Sequence, residues 1–111
     1  MIVDFYETPA GRSPVEDFIE GLPKGDQARF AEVIVGVEQY GLAYPRVQFK
    51  PLRGKLWEMK FSAPGGGFRM LYVMIQANEM VILHVIRKTT QKTPIRDLDL
   101  AEKRMKEVLG L

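Results

Sequence analysis

The chain has 111 residues, of which 46% are apolar and 27% charged, and a net charge of +2, a balance typical of one globular domain spanning residues 1–111. It has no cysteine and a single histidine, His84, which excludes disulfides and thiolate metal clusters and leads us to expect no metal and no cofactor. The chain does not open on a basic segment with an apolar core, and no apolar run approaches the roughly 20 residues that span a bilayer, so we expect a cytoplasmic protein without a membrane segment.

The amino-terminal part of the chain is predicted to form a short strand and then a helix. Residues 2–7 are rich in strand formers and precede a turn-forming segment. Ser13, Pro14 and Glu16 supply an N-cap hydroxyl, a proline at the first helical position and a capping-box glutamate. The first helix should therefore begin near Pro14 and end before Pro23.

A second helix is predicted over residues 26–40, with Gly41 as its C-terminal cap. The apolar residues at helical spacing, which should face the core, are Phe30, Val33, Ile34, Val37 and Tyr40. The following segment, 42–53, contains Pro45 and Pro51 and has no clean period. It is predicted to be a loop or a short edge strand.

Three consecutive antiparallel strands are predicted over residues 55–61, 68–76 and 80–88, separated by turns at 63–67 and 77–79. Both faces of the last two strands are largely apolar, so each face must be covered. The two helices can cover one face, which leaves the other for the carboxy-terminal segment or a partner. Thr93 and Pro94 repeat the N-cap and proline signal, and they predict a final amphipathic helix that ends before Gly110. The expected fold is α+β, a helical hairpin packed on a small antiparallel sheet with a closing helix.

The pairing of the last two strands decides which charged residues share a face. A two-residue loop at 78–79 would place Arg69 opposite Lys88 and on the same face as His84, whereas a three-residue turn would place Arg87 opposite Arg69. One register of the preceding hairpin would add Glu58 and Lys60 to that face. Facing like charges destabilise a sheet unless an anion offsets them, so the pattern indicates a phosphate site or a surface ladder neutralised by Glu58.

Positive charge is concentrated in the middle of the chain. Residues 1–43 carry three basic and eight acidic residues, residues 44–96 carry ten basic and two acidic residues, and residues 97–111 carry three and four. The middle segment therefore has a net charge of +8. Such a block is typical of a polyanion-binding surface, and the plainer alternative is a solvated basic face.

Three motifs resemble one protein family across nearly the whole chain. They are LRGKLWEMK at residues 52–60, FRMLY at 68–72, and LH at 83–84 followed by Lys88 and by TQKTP at 90–94. Together they resemble the RelE/ParE toxin superfamily, in particular its phage-derived HigB-like branch. The resemblance implies the toxin of a type II toxin–antitoxin pair, with a RelE-like fold and, in RelE-like members, metal-independent cleavage of messenger RNA on the ribosome by attack of the 2′-hydroxyl on the phosphate.

The resemblance also implies roles for individual residues. Arg69 would stabilise the transition state, and Lys88 and Lys60 would complete the catalytic set. The residues expected to bind RNA are Lys50, Arg53, Lys55, Arg87, Lys92 and Arg96. His84 and Glu58 are further candidates, His84 being more readily explained as a structural histidine. Trp57 and Tyr72 have the chemistry to stack on bases but sit among apolar neighbours, which favours a place in the core.

The sequence departs from the family pattern at three positions. Lys60 stands in place of an arginine, Thr89 in place of a second lysine, and Ile86 in place of an aromatic residue. Lys60 and Thr89 keep open the alternative of a degenerate toxin that acts only as a binding protein. The ParE-like members of the superfamily keep open a second alternative, a non-catalytic inhibitor of DNA gyrase. The expected partners are an antitoxin of the helix-turn-helix class, together with the ribosome and messenger RNA for a nuclease.

Overall fold

A central five-stranded sheet organises the molecule, which is described by a computed structural model covering residues 1–111. Its strands are β1 (Ile2–Phe5), β2 (Gln48–Arg53), β3 (Leu56–Ala63), β4 (Gly66–Gln76) and β5 (Glu79–Arg87). They lie in the order β1-β5-β4-β3-β2. The predicted three-stranded antiparallel meander forms its centre, β1 adds to it in parallel beside β5, and β2 forms the opposite edge.

Three helices cover the two faces of the sheet: α1 (Pro14–Glu20), α2 (Lys24–Tyr40) and α3 (Ile95–Leu109). The Ser13 hydroxyl accepts a hydrogen bond from the backbone N–H of Glu16, which confirms the predicted cap of α1. Gly41 follows α2 with a φ of 60°, a conformation that glycine adopts without strain, and a short 3₁₀ turn (Gly41–Ala43) leads to β2. None of the three helices is long and apolar enough to cross a membrane.

The sheet separates two apolar cores, as its two apolar faces require. The larger core lies under α1 and α2 and contains Phe30, Phe68 and Tyr72. The smaller core lies under α3 and contains Leu56, Leu71 and Met105. The confirmed α+β arrangement therefore assigns the second face of the sheet to the closing helix.

Two details of the helices differ from the sequence predictions. Tyr40 was predicted to face the core but is 62% exposed, because it is the last residue of α2 and its ring stacks on that of Tyr44 at the surface. Thr93 was predicted to cap the last helix, but α3 begins at Ile95 after Pro94, and the Thr93 side chain is buried against the sheet instead.

The predicted pairing of β4 with β5 was wrong. Arg69 lies opposite Ile86 and not opposite Lys88 or Arg87, while Phe68 lies opposite Arg87. The turn is formed by residues 77–78, and two irregularities shift the register between the turn and Arg69. On its other side, Arg69 lies opposite Lys60 of β3. The cationic pair therefore forms between β3 and β4, in the register that brings Glu58 and Lys60 to the face of Arg69.

Candidate functional site

A groove of about 680 Å³ opens at one end of the sheet and carries a concentration of positive charge. Four cationic side chains line it: Arg29 from α2, Arg46 from the segment before β2, Lys60 from β3 and Lys88 from the position directly after β5. No acidic residue lines the groove. The neutral polar side chains in its lining are those of Gln48 and Ser62.

The floor of the groove depends on a residue without a side chain. Gly67 of β4 pairs with Ser62 of β3, and its carbonyl accepts a hydrogen bond of 2.9 Å from the backbone N–H of Lys88. A methyl group at Gly67 would lie 3.2 Å from Cβ of Lys88, so the lysine stem packs directly over the glycine. Lys60 thus enters the groove from β3, on one side of β4, and Lys88 enters it from just beyond the end of β5, on the other side.

Arg29 forms a wall of the groove and joins three elements. Its Nε donates to the carbonyl of Ser62 at 2.9 Å and its Nη2 to the carbonyl of Arg46 at 3.3 Å. The third guanidinium nitrogen, Nη1, pairs with Glu32 one turn along α2. These bonds fix the end of β3 against α2 and the segment before β2, so the groove has a defined shape.

Arg69 and Glu58 are buried beside the groove and do not line it. The Arg69 side chain is 2% exposed and that of Glu58 1%. Nη1 of Arg69 donates to the Thr93 hydroxyl at 2.6 Å, Nη2 donates to the carbonyls of Thr90 and Gln91, and Nε has no partner. Direct contact of Arg69 with a phosphate in the groove would require movement of residues 88–94, which cover it.

The other predicted RNA-binding residues lie elsewhere on the surface. Arg53 forms ion pairs with Asp99 and Glu102 of α3, and the hydrogen bond to Asp99 raises the pKa of Arg53 most strongly. Arg87 stacks over the Phe68 ring at 5.0 Å on the face of α1 and α2. Lys50 is exposed on the edge strand opposite Glu58.

Three more predicted cations are exposed but lie outside the groove lining. Lys55 is in the turn before β3, at the far end of that strand from the groove. Lys92 lies in the segment that covers Arg69, and Arg96 lies in the first turn of α3. The structure therefore brings Lys60 and Lys88 together in the groove and disperses the other predicted cations.

Trp57, Tyr72 and His84 have structural places in the packing of the sheet. Tyr72 is buried in the larger core and Trp57 packs against that core, as the apolar-neighbour interpretation predicted. His84 Nε2 lies 2.8 Å from Oδ1 of Asp97, which joins β5 to the first turn of α3. His84 also lies beside Arg104 in a small pocket that shares no lining residue with the groove.

Sequence reasoning missed Arg29 and Arg46 as residues of the site, and it misassigned Thr93. No local motif marks Arg29, since it reaches the groove only because α2 packs against the end of β3. Arg46 lies in a proline-containing segment whose path depends on Tyr44 packing under α2. These contributions depend on tertiary packing, which a linear pattern does not contain.

This geometry defines a class of protein, a small α+β domain with a strongly basic groove beside its sheet. Residues 17–106 match the family described as Phage derived protein Gp49-like (DUF891), and the chain belongs to this family. It is a RelE/ParE-like toxin family, associated with the toxins of toxin–antitoxin pairs. A comparison with curated proteins gave no match.

Proposed function

We propose that this protein is a HigB-like toxin of a type II toxin–antitoxin system and cleaves messenger RNA on the ribosome. The observation that carries the proposal is the basic groove, whose lining holds four cations and no acidic residue. Such a lining attracts the phosphates of single-stranded RNA, and it contains no carboxylate that would repel them. The proposed partners are the ribosome, messenger RNA and a helix-turn-helix antitoxin, and the proposed location is the cytoplasm.

The proposed reaction is an internal transesterification of the RNA backbone. The 2′-hydroxyl gives its proton to a neutral lysine amine in the groove, and its oxygen forms a new bond to phosphorus. The bond between phosphorus and the 5′-oxygen breaks, and the second lysine, as an ammonium group, protonates the leaving oxygen. The products are a 2′,3′-cyclic phosphate and a 5′-hydroxyl end. Lys60 and Lys88 are assigned as this acid–base pair because both lie in the groove.

The remaining groove cations are assigned to binding. Arg29 and Arg46 hold phosphate oxygens next to the scissile bond and orient the backbone for in-line attack. The groove lining contains one aromatic residue, Phe61, which is 5% exposed and therefore offers little surface for stacking on a base. We accordingly assign little base preference to the groove itself.

Cleavage of ribosome-bound messenger RNA by purified protein tests the proposal. The wild type should release fragments with 5′-hydroxyl and 2′,3′-cyclic phosphate ends. Lys88→Ala and Lys60→Ala should each slow the reaction by roughly 100-fold or more, the range found for a lost general acid or base.

Lys103→Ala is the matched control, since Lys103 is an exposed lysine of α3 outside the groove lining. It should cleave as the wild type does. Intact messenger RNA together with DNA breaks in cells that express the protein would contradict the proposal and support inhibition of gyrase. Toxicity that persists in both groove-lysine variants would also contradict it.

A further inference from the structure

A buried network of three polar side chains lies directly beside the groove. The Thr93 hydroxyl donates to Oε1 of Glu58 at 2.6 Å and accepts from Nη1 of Arg69 at 2.6 Å. The guanidinium and the carboxylate themselves are 3.7 Å apart, beyond hydrogen-bond distance. Thr93 therefore bridges two buried, oppositely charged groups that do not otherwise share a hydrogen bond.

This network holds a particular piece of backbone in place, residues 88–94, which we call the cover segment. Nη2 of Arg69 donates to the carbonyls of Thr90 and Gln91, at 2.8 and 2.9 Å, so the guanidinium binds the middle of the cover segment. Thr93 fixes its end through the bonds described above. The first residue of the segment is Lys88, whose backbone N–H is bound to Gly67 and whose side chain lines the groove.

The chemistry of threonine suits this bridging position. A hydroxyl has one proton to give and lone pairs to accept with, and here the proton goes to the carboxylate while a lone pair meets the guanidinium. Although Nε of Arg69 has no partner, the hydroxyl supplies a hydrogen bond to both charged groups, and a buried network that loses such a shared member no longer holds one geometry. Removing the hydroxyl would leave Glu58 and Arg69 as buried charges that must find other partners, and the nearest adjustable structure is the cover segment.

We propose that Thr93 is a positioning residue which, through Arg69 and Glu58, fixes the cover segment and thereby the place of Lys88 in the groove. The effect on catalysis rests on the proposed function, but the effect on the cover segment does not. In this assignment Arg69 acts through the segment that it binds and does not touch RNA. The hydroxyl thus links a buried ion pair to a group that faces the substrate.

Thr93→Val tests the proposal, because valine keeps the shape of threonine and removes the hydroxyl. Single-turnover cleavage of ribosome-bound messenger RNA should slow on the order of 10- to 100-fold, the effect of a small misplacement of a reacting group, while the KM for the complex changes little. Thr93→Ser, which restores the hydroxyl, should recover most of the rate. Thr89→Val is the matched control, an exposed threonine of the same segment outside the network, and should cleave as the wild type does.

Amide hydrogen exchange measured on the same four proteins makes the test independent of activity. Exchange of the Lys88 amide, which donates to the Gly67 carbonyl at the start of the cover segment, should be faster in Thr93→Val than in the wild type, Thr93→Ser and Thr89→Val. Circular dichroism melting identifies a variant that fails to fold. If Thr93→Val fails to fold, Thr93→Ala measured at a lower temperature takes its place in both experiments.

Each outcome separates the two proposals. Unchanged exchange in a folded Thr93→Val, or a wild-type rate in that variant, would overturn the positioning role. Failure of the wild type to cleave RNA would overturn the proposed nuclease function, and faster exchange in Thr93→Val alone would still support the hold on the cover segment. A rise in KM with unchanged kcat would overturn positioning of Lys88 and assign the network to RNA binding.

Discussion

Arg69 and Lys60 lie directly opposite each other on neighbouring strands, an arrangement of like charges that costs stability unless it is offset. The two side chains resolve the conflict by going to different environments. Arg69 is neutralised by Glu58 and donates to carbonyl groups of the cover segment, whereas Lys60 lines the groove. One cation is thus used to build the site and the other is left for an anionic ligand.

The hydroxyl group of Tyr72 is expected to lower the stability of the protein. Its hydroxyl is buried in the larger core without a hydrogen-bond partner, and burial raises the pKa of Tyr72 to about 12. Tyr72→Phe removes an unsatisfied polar group, so it should increase the free energy of unfolding by about 1 kcal/mol at neutral pH. Urea denaturation followed by circular dichroism measures the change.

The same substitution should change the response to alkali. Because folding raises the pKa of Tyr72, ionisation of the unfolded chain costs no stability below the unfolded pKa of 10, and stability is lost as the pH rises from 10 to about 12. Tyr72→Phe should therefore reduce the loss of stability over this interval. Tyr6→Phe is the contrasting control, because the Tyr6 hydroxyl donates to Glu107 and its removal should destabilise the protein at neutral pH. A destabilised Tyr72→Phe would contradict the prediction.

At the scale of elements, periodicity predicted what local patterns determine. The apolar stripe of α3 and the cap of α1 were confirmed because both depend on residues within one or two helical turns. The pairing of Arg69 was not predictable, since the irregularities between β4 and β5 change the register without any glycine or proline to mark them. Thr93 carried a capping signal, but burial with a charged pair determined its place instead.

The packing of α2 against the segment before β2 depends on a missing side chain at Gly36. A methyl group there would lie between 2.2 and 2.6 Å from atoms of the Tyr44 ring, which is rigid and buried. Gly36→Ala should therefore lower the free energy of unfolding by about 3 kcal/mol, at the upper end of overpacking effects. Thermal and urea denaturation measure this loss.

Gly25→Ala in the same helix separates the clash from the general effect of alanine. Its methyl group would meet only Pro64, at 3.5 Å, an ordinary contact. Alanine at this position should leave stability unchanged or raise it by up to about 1 kcal/mol, because alanine favours a helix more than glycine does. If both variants were equally stable, the close approach of Tyr44 to α2 would not exist in solution.

Across the whole molecule, the folded chain redistributes the positive charge that the sequence concentrates in residues 44–96. Arg53 is neutralised by α3, Arg69 by Glu58, and Arg87 stacks on the opposite face of the sheet. Arg29 joins the groove from the acidic amino-terminal part of the chain. The segment count therefore predicted a basic surface but not its composition, because charge along a sequence does not specify which side chains the fold pairs internally.

The salt dependence of RNA binding measures how many charges the groove contributes. Arg46, Lys60 and Lys88 line it without forming an ion pair, whereas the charge of Arg29 is already offset by Glu32, so its hydrogen bonds to phosphate neutralise no further charge. Three neutralised phosphates on a single strand give a slope of about −2 for log K against log salt concentration, so affinity for a 2′-O-methyl oligonucleotide should fall roughly 20-fold between 50 and 200 mM salt. Fluorescence anisotropy measures this fall in affinity directly.

Lys60→Ala should reduce the slope by about 0.7, whereas Lys103→Ala should leave it unchanged. A slope that Lys60→Ala and Lys88→Ala both leave intact would mean that RNA binds at another surface, such as the dispersed cations near α3.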